Sequence, residues 1–165
     1  MFIKKKKLML TVILALSFVM LIGGIISAKE LTVIATSDIH GAIYPWSYKI
    51  GEADDIGLAK ISAMVKEAKE ENPNVLLVDA GDTIQGNTLT SLFKDRRDVV
   101  HPMMKVMNHM GYSAMTLGNH EFNFGLETQQ EILKDADFPI LSANTIVRET
   151  GEPFAKPYTI KEIDG

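Results

Sequence analysis

The stretch Val75-Leu76-Leu77-Val78-Asp79-Ala80-Gly81-Asp82-Thr83-Ile84-Gln85-Gly86-Asn87 decides the fold. Its first four residues are a continuous apolar run, too short for a helix and preceded by the breaker Asn72-Pro73-Asn74, which reads as a strand buried on both faces of a parallel sheet. The same grammar occurs on either side of it. Leu31 to Ala35 is a β-rich run that leads into Ser37-Asp38-Ile39-His40-Gly41, and Tyr112 to Leu117 leads into Gly118-Asn119-His120-Glu121-Phe122-Asn123-Phe124-Gly125. Between these runs lie helical patterns. Ile56 to Glu71 carries a stripe of Ile56, Leu58, Ala59, Ala63, Met64 and Val65; Pro102 to Met110 starts with a proline suited to a first turn and stops at Gly111; Leu126 to Asp135 follows. Ile140 to Ala143 reads as a fourth strand. Strands alternating with helices define an α/β layered domain, and Met103, Met104, Met107 and Met110 are expected to pack its core.

In such a sheet the carboxyl ends of the strands share one edge, where α/β folds bind ligands. Taken singly, each polar ending has an ordinary explanation: Asp38 can cap a turn, Gly81-Asp82 can be a turn, and Asn119 can occupy a left-handed position. Three in succession at equivalent strand ends point instead to a site. Two carboxylates, an amide oxygen and imidazoles suit manganese, zinc, iron or cobalt. A phosphoesterase that uses two such ions holds them about 3.5–4 Å apart, which requires a bridging carboxylate. Asp82 is the candidate bridge, Asp38 and His40 the ligands of one ion, and Asn119 a neutral ligand of the second. His120 then stands near the phosphate without being consumed as a ligand. Gly41, Gly81, Gly86, Gly118 and Gly125 permit the tight backbone this needs.

The 165 residues are room for one ordinary domain, with 46% hydrophobic and 23% charged residues, so disorder and fibrous classes are excluded. No cysteine is present, which removes disulfides, thiolate zinc sites and cysteine nucleophiles. Met1 to Ala28 reads as a secretory signal: Lys4 to Lys7, an apolar stretch from Leu8 to Ile22, then Gly23, Gly24, Ser27 and Ala28. Cleavage after Ala28 is expected; an uncleaved membrane anchor is the competing reading, and either places the body, 29–165, outside the cytoplasm in the cell envelope or medium. With those four lysines set aside, the 17 basic residues fall to 13 against 21 acids, a net charge of −8. Such a body repels nucleic-acid backbones, so no nucleic-acid readout is expected. The aromatic residues Tyr44, Trp46 and Tyr48 follow the first motif closely and offer either a base-stacking surface or a packing surface.

Asp38-Ile39-His40, Gly81-Asp82 and Gly118-Asn119-His120-Glu121 resemble the first three signature blocks of the calcineurin-like metallophosphoesterases. The longer forms, from Gly81 to Gly86 and from Gly118 to Leu126, are similar to the secreted 5'-nucleotidase superfamily, and within it to bacterial 2',3'-cyclic-nucleotide 2'-phosphodiesterase/3'-nucleotidase precursors. Further matches are His101-Pro102, Phe138-Pro139-Ile140 with Ser142-Ala143-Asn144, and Lys156-Pro157-Tyr158-Thr159-Ile160. The resemblance implies the amino-terminal half of a layered metallophosphoesterase domain, a β-sandwich flanked by helices. It implies two divalent metal ions, held as described above, and a His120 that stabilises or protonates the leaving side of a nucleotide phosphate. Asn123 departs from the 5'-nucleotidase branch, which usually has Asp there to orient the histidine, and resembles the cyclic-phosphodiesterase branch.

By the same resemblance the metal site is completed by later histidines in a Gly-His-x-His block, and the base is recognised by a carboxy-terminal nucleotide-binding domain. The four histidines of this sequence are His40, His101, His109 and His120, and no such block is among them. His101 and His109 read as surface or packing residues. The sequence is accordingly expected to be an amino-terminal fragment. Three outcomes stand: a secreted phosphoesterase of 2',3'-cyclic nucleotides and 3'-nucleotides in its longer form, a 5'-nucleotidase-type hydrolase, or an inactive exported fragment that lacks the second half of the metal site.

Overall fold

The computed structural model describes residues 6, 9–14 and 29–163. The chain divides into two units, Met1–Glu30 and Leu31–Gly165. In the first, Lys6 and residues 9–14 are helical. The expected processing position after Ala28 lies outside the described residues. Among the described residues no helix is long and apolar enough to cross a membrane.

The second unit is built on a four-stranded sheet. Its elements in chain order are β1 (Thr32–Thr36), β2 (Trp46–Ser47), β3 (Glu52–Ala53), α1 (Leu58–Glu71), β4 (Val75–Asp79), α2 (Thr88–Phe93), α3 (Pro102–Met110), β5 (Ala114–Thr116), a 3-10 turn (His120–Phe122), α4 (Leu126–Leu133) and β6 (Ile140–Leu141). The sheet order is β1-β4-β5-β6, and every neighbouring pair is parallel. The α/β reading therefore holds, with all four expected strands in one sheet and three of the helices where the pattern put them. The hairpin β2–β3 and the short helix α2 were not anticipated. Two-residue strands carry too little alternation to read, and α2 is six residues long. Its start was nevertheless encoded: the Asn87 side chain accepts from the Thr90 N–H, while the Thr90 hydroxyl faces the Asn87 N–H.

Helix boundaries follow local chemistry. α1 begins at Leu58 rather than Ile56 because Gly57, at φ 97°, turns the chain into it. α3 starts at Pro102, with its donor-free nitrogen in the first turn, and ends where Gly111 takes the left-handed conformation at φ 76°. Its four methionines are all buried and form the core with Leu58 and Val65 of α1, Leu77 of β4, Met115 of β5 and Ile132 and Leu133 of α4. Each such side chain stabilises the fold by about 1.5–3 kcal/mol.

The expectation that the Val75 to Val78 strand is buried on both faces is corrected. Register pairs Ile34 with Leu77 and Thr36 with Asp79 on one face, where the helical core lies. On the other face Val33 pairs with Leu76 and Ala35 with Val78; Val33 is 57% exposed, and Leu76 and Val78 are half-buried. Side chains alternate between faces along a strand, and the described residues supply a helical layer to one face only. The continuous apolar run recorded two apolar faces, of which one is covered.

Candidate metal centre

Because β1, β4 and β5 are parallel neighbours, the segments leaving their carboxyl ends run side by side. The β1 loop continues alongside the β4 loop through backbone hydrogen bonds: Asp38 N–H to Gly81 C=O at 3.0 Å, His40 N–H to Asp82 C=O at 2.9 Å and Gly41 N–H to Thr83 C=O at 2.9 Å. Among the described residues the non-glycine positions with positive φ are Asp38 (55°), His40 (49°) and Asp82 (58°). Left-handed backbone costs such residues about 1 kcal/mol or more each, and strain of this kind persists where the surroundings over-determine it. Here the three cross-loop hydrogen bonds do so, and the strained residues are three of the expected ligands.

The side chains converge accordingly. His40, Asp82 and His120 each offer one ligand atom, and these atoms all lie within 4.8 Å of one another. The rings of His40 and His120 meet edge to face at 5.0 Å between centroids. Asp38 flanks this cluster: one carboxylate oxygen lies 3.9 Å from His40 Nε2, and the other accepts from the Ser37 hydroxyl. Asn119 precedes His120 at the start of the 3-10 turn, with its side chain solvent-exposed. Asp82 Oδ1 accepts from the His120 N–H at 2.8 Å, which ties the β4 loop to the β5 loop. The approach leaves no space for a side chain at Gly118, where an added Cβ would stand 2.2 Å from Asp82 Oδ1.

The partners of each imidazole fix its polarity. His40 Nδ1 faces the Gln85 carbonyl oxygen at 2.9 Å, so it is the protonated nitrogen and Nε2 keeps its lone pair. His120 Nδ1 instead faces the Asn123 Nδ2 donor at 2.7 Å, and Asn123 Nδ2 also reaches Gln85 Oε1 at 3.4 Å. An amide N–H requires an acceptor, which leaves the proton of neutral His120 on Nε2.

Two carboxylates without an assigned part in the sequence reading turn out to hold the loops in shape. Glu121 is fully buried and accepts four backbone N–H groups: Asp82 at 2.7 Å, Thr83 at 2.6 Å, Ile84 at 3.2 Å and Gly118 at 2.7 Å. Asp79, at the end of β4, accepts from the Thr36 hydroxyl at 2.5 Å, the Thr83 hydroxyl at 2.8 Å and the Gly81 N–H at 2.9 Å. Burial raises the Asp79 carboxyl above its ordinary range despite these bonds, with Glu121 adding like-charge repulsion. Tyr112 closes the network through Thr36 at 2.9 Å, and its hydroxyl is pushed up to about 12 by burial. The available signal was an acid at the end of an apolar run and another between His120 and Phe122, but only burial separates a loop clamp from a surface charge.

His101 and His109 stand apart from this centre. His101 is buried and caps α3, its Nδ1 accepting from the Met103 N–H at 3.3 Å, while His109 is exposed on the same helix. Both are packing or surface residues, as expected.

The donor set fits a borderline divalent cation: an imidazole with a free Nε2 lone pair and a carboxylate, with the His120 imidazole beside them, on pinned loops at the ligand-binding edge of a parallel sheet. That fold and that edge define a metal-dependent phosphoesterase domain. The family model of the calcineurin-like phosphoesterases matches residues 31–162, and the chain belongs to that family. It is 42% identical over 81% of its length to the trifunctional nucleotide phosphoesterase protein YfkN of Bacillus subtilis (strain 168). The crystal structure of YfkN superposes with a TM-score of 0.75, covering 81% of this chain and 42% of that one. The chain is 37% identical, over 92% of its length, to the 2',3'-cyclic-nucleotide 2'-phosphodiesterase/3'-nucleotidase of Haemophilus influenzae, and 34% identical, over 93%, to the 5'-nucleotidase of Rattus norvegicus. It spans 10%, 24% and 27% of the lengths of these three relatives.

Proposed function

We propose that this chain carries the amino-terminal share of the active site of an exported phosphoesterase that hydrolyses nucleotide phosphoesters, with 2',3'-cyclic nucleotides and 3'-nucleotides as its substrates. The observation that carries the reading is the meeting of His40, Asp82 and His120, from three separate strand ends, within 4.8 Å. Export rests on the lysine-led apolar segment ending at Ala28.

In this reading Asp38, His40, Asp82 and Asn119 are the residues that would hold divalent metal, with Asp82 as the shared carboxylate; manganese, zinc, iron and cobalt would all suit these donors. The ions, when bound, supply Lewis-acid polarisation of the phosphoester and an activated water. His40 is presented for ligation by its Nδ1–H bond to Gln85, which directs the ring and leaves Nε2 free. Asp82 is steadied by the His120 N–H on one oxygen. His120 keeps its Nε2 proton through the bond from Asn123, and that N–H stabilises the leaving oxygen of the ester. Asn123 orients the ring without a charge that would favour its imidazolium form.

The test compares two variants in a protein long enough to include the Gly-His-x-His block that the family resemblance requires. Asp82→Asn removes the charge that holds two cations together, and should lose bound metal and activity together. His120→Gln should retain metal and lower the rate on 2',3'-cyclic AMP by about 10²- to 10⁴-fold. Equal metal loss in both would make His120 a ligand. A 5'-nucleotidase-type specificity is the second reading, favoured by the likeness to the Rattus norvegicus enzyme. Relative rates on 5'-AMP and 2',3'-cyclic AMP decide between them.

A further inference from the structure

One residue of the β4 loop reaches both imidazoles of the candidate metal centre. The backbone carbonyl oxygen of Gln85 accepts from His40 Nδ1 at 2.9 Å. Its side chain serves the other ring: Gln85 Oε1 accepts from Asn123 Nδ2 at 3.4 Å, and the same Asn123 nitrogen stands 2.7 Å from His120 Nδ1. The loop is pressed onto the first ring, since a Cβ added at Gly86 would stand 2.6 Å from His40 Cβ. At 3.4 Å the Gln85–Asn123 bond is long and supplies direction more than energy. Direction is what an asparagine lacks by itself, because its amide has a donor end and an acceptor end of nearly the same shape, and only its partners decide which end faces a neighbour. Asn123 is solvent-exposed, so water satisfies either end. Gln85 Oε1 breaks the tie, because turning the Asn123 amide over would set two acceptor oxygens against each other.

We infer that Gln85 is a positioning residue for both histidines: its main chain holds the proton of His40 on Nδ1, and its side chain, acting through Asn123, holds that of neutral His120 on Nε2. The inference rests on the phosphoesterase reading and deepens it, since it names what keeps a donor on His120 Nε2 for the leaving oxygen. The two rings stand 5.0 Å apart between centroids and need opposite polarity, a lone pair on His40 Nε2 for a cation and a proton on His120 Nε2 for an ester oxygen. A single loop residue satisfies both needs by using its carbonyl for one ring and its amide for the other. The relay from Gln85 through Asn123 to His120 has one direction, so reversing the first group forces the rest. An ionised glutamate at position 85 only accepts and keeps that direction; a lysine there only donates and inverts it.

The test reads histidine ring nitrogen-15 shifts in the metal-free chain in alkaline buffer, where imidazoles are neutral. The His120 signals are assigned by their loss in His120→Gln. The parent chain and Gln85→Glu should both carry the His120 proton on Nε2, and Gln85→Lys should move it to Nδ1. His40 should keep its proton on Nδ1 in all three, because a backbone carbonyl survives any side-chain exchange. A direct field effect has the opposite sign, since a carboxylate near Nδ1 attracts a proton there and an ammonium repels it. In an Asn123→Ala background the two Gln85 variants should no longer differ at His120. The same His120 tautomer in Gln85→Glu and Gln85→Lys, a His40 proton that moves with that of His120, or a difference that persists without Asn123 overturns the inference. Activity is measured separately in the longer protein, where Gln85→Lys should lower kcat on 2',3'-cyclic AMP at least about tenfold with bound metal at the parental level. An inverted tautomer with unchanged kcat keeps the positioning role and removes His120 as donor to the leaving oxygen; absence of hydrolysis by the parent removes the phosphoesterase reading alone.

Discussion

His40 at the carboxyl edge of β1 and His101 at the head of α3 are both fixed through Nδ1, with opposite polarity. His40 donates to a carbonyl, so its Nε2 lone pair is free beside Asp82 and His120. His101 accepts from a backbone N–H, so its proton sits on Nε2, which is buried without a hydrogen-bond partner. Burial lowers its pKa to about 4, with Asp135 opposing the shift. One histidine is prepared to ligate and the other is a neutral helix cap. The difference teaches that the group facing Nδ1, more than the sequence neighbourhood, decides what an imidazole can do.

The largest expected effect tests the scaffold behind His40. Glu121 clamps Asp82, Thr83 and Ile84, the residues just before the Gln85 carbonyl that orients His40. Glu121→Ala leaves four N–H groups without their acceptor, of which those of Thr83 and Ile84 are buried and cost about 1–3 kcal/mol each. Urea unfolding should show a loss of at least about 2 kcal/mol, a large part of a domain's stability. Glu121→Gln, which keeps one carbonyl acceptor, should lose distinctly less. Equal and small losses would mean that the clamp does not hold the loops.

A smaller effect sharpens the His101 side. Its folded pKa of about 4 lies below the ordinary 6.5, so the fold favours the neutral ring. The resulting stability is fully present above pH 6.5 and is lost as pH falls from 6.5 to about 4, by up to about 3 kcal/mol. His101→Asn keeps a capping oxygen and removes the titrating group. Its denaturation midpoint should therefore vary less over that window than that of the parent protein.

The finest test concerns His120, whose Nδ1 faces an amide donor as His101 faces a backbone one. Asn123→Asp replaces that donor by an acceptor and should move the proton of the neutral ring from Nε2 to Nδ1, giving His120 the polarity of His40. Nitrogen-15 shifts of the ring distinguish the two tautomers without any activity measurement. An unchanged tautomer would show that Asn123 does not set it.

How far the sequence could be read depended on the range of the interactions. The strand ends after Ala35, Val78 and Leu117 were legible because apolar runs stop abruptly at acid, amide and glycine residues. The helix Pro102–Met110 was legible residue for residue, since its proline, methionine stripe and Gly111 act within one element. The hairpin of Trp46–Ser47 with Glu52–Ala53 was not, because two-residue strands exist only through their pairing.

By itself the sequence determined an α/β chain with three polar strand endings, and with them the residue types that can bind metal and phosphate. Tertiary structure alone decided that His40, Asp82 and His120 meet, since they come from positions 42 and 38 residues apart that only a parallel sheet aligns. It also decided which nitrogen of His40, His101 and His120 carries the proton, that Glu121 is a buried clamp, and that among the described residues helices cover one sheet face. Each of these depends on which donor, acceptor or apolar group a neighbouring segment brings within about 3–4 Å, and such contacts between distant segments exist only once the chain is folded.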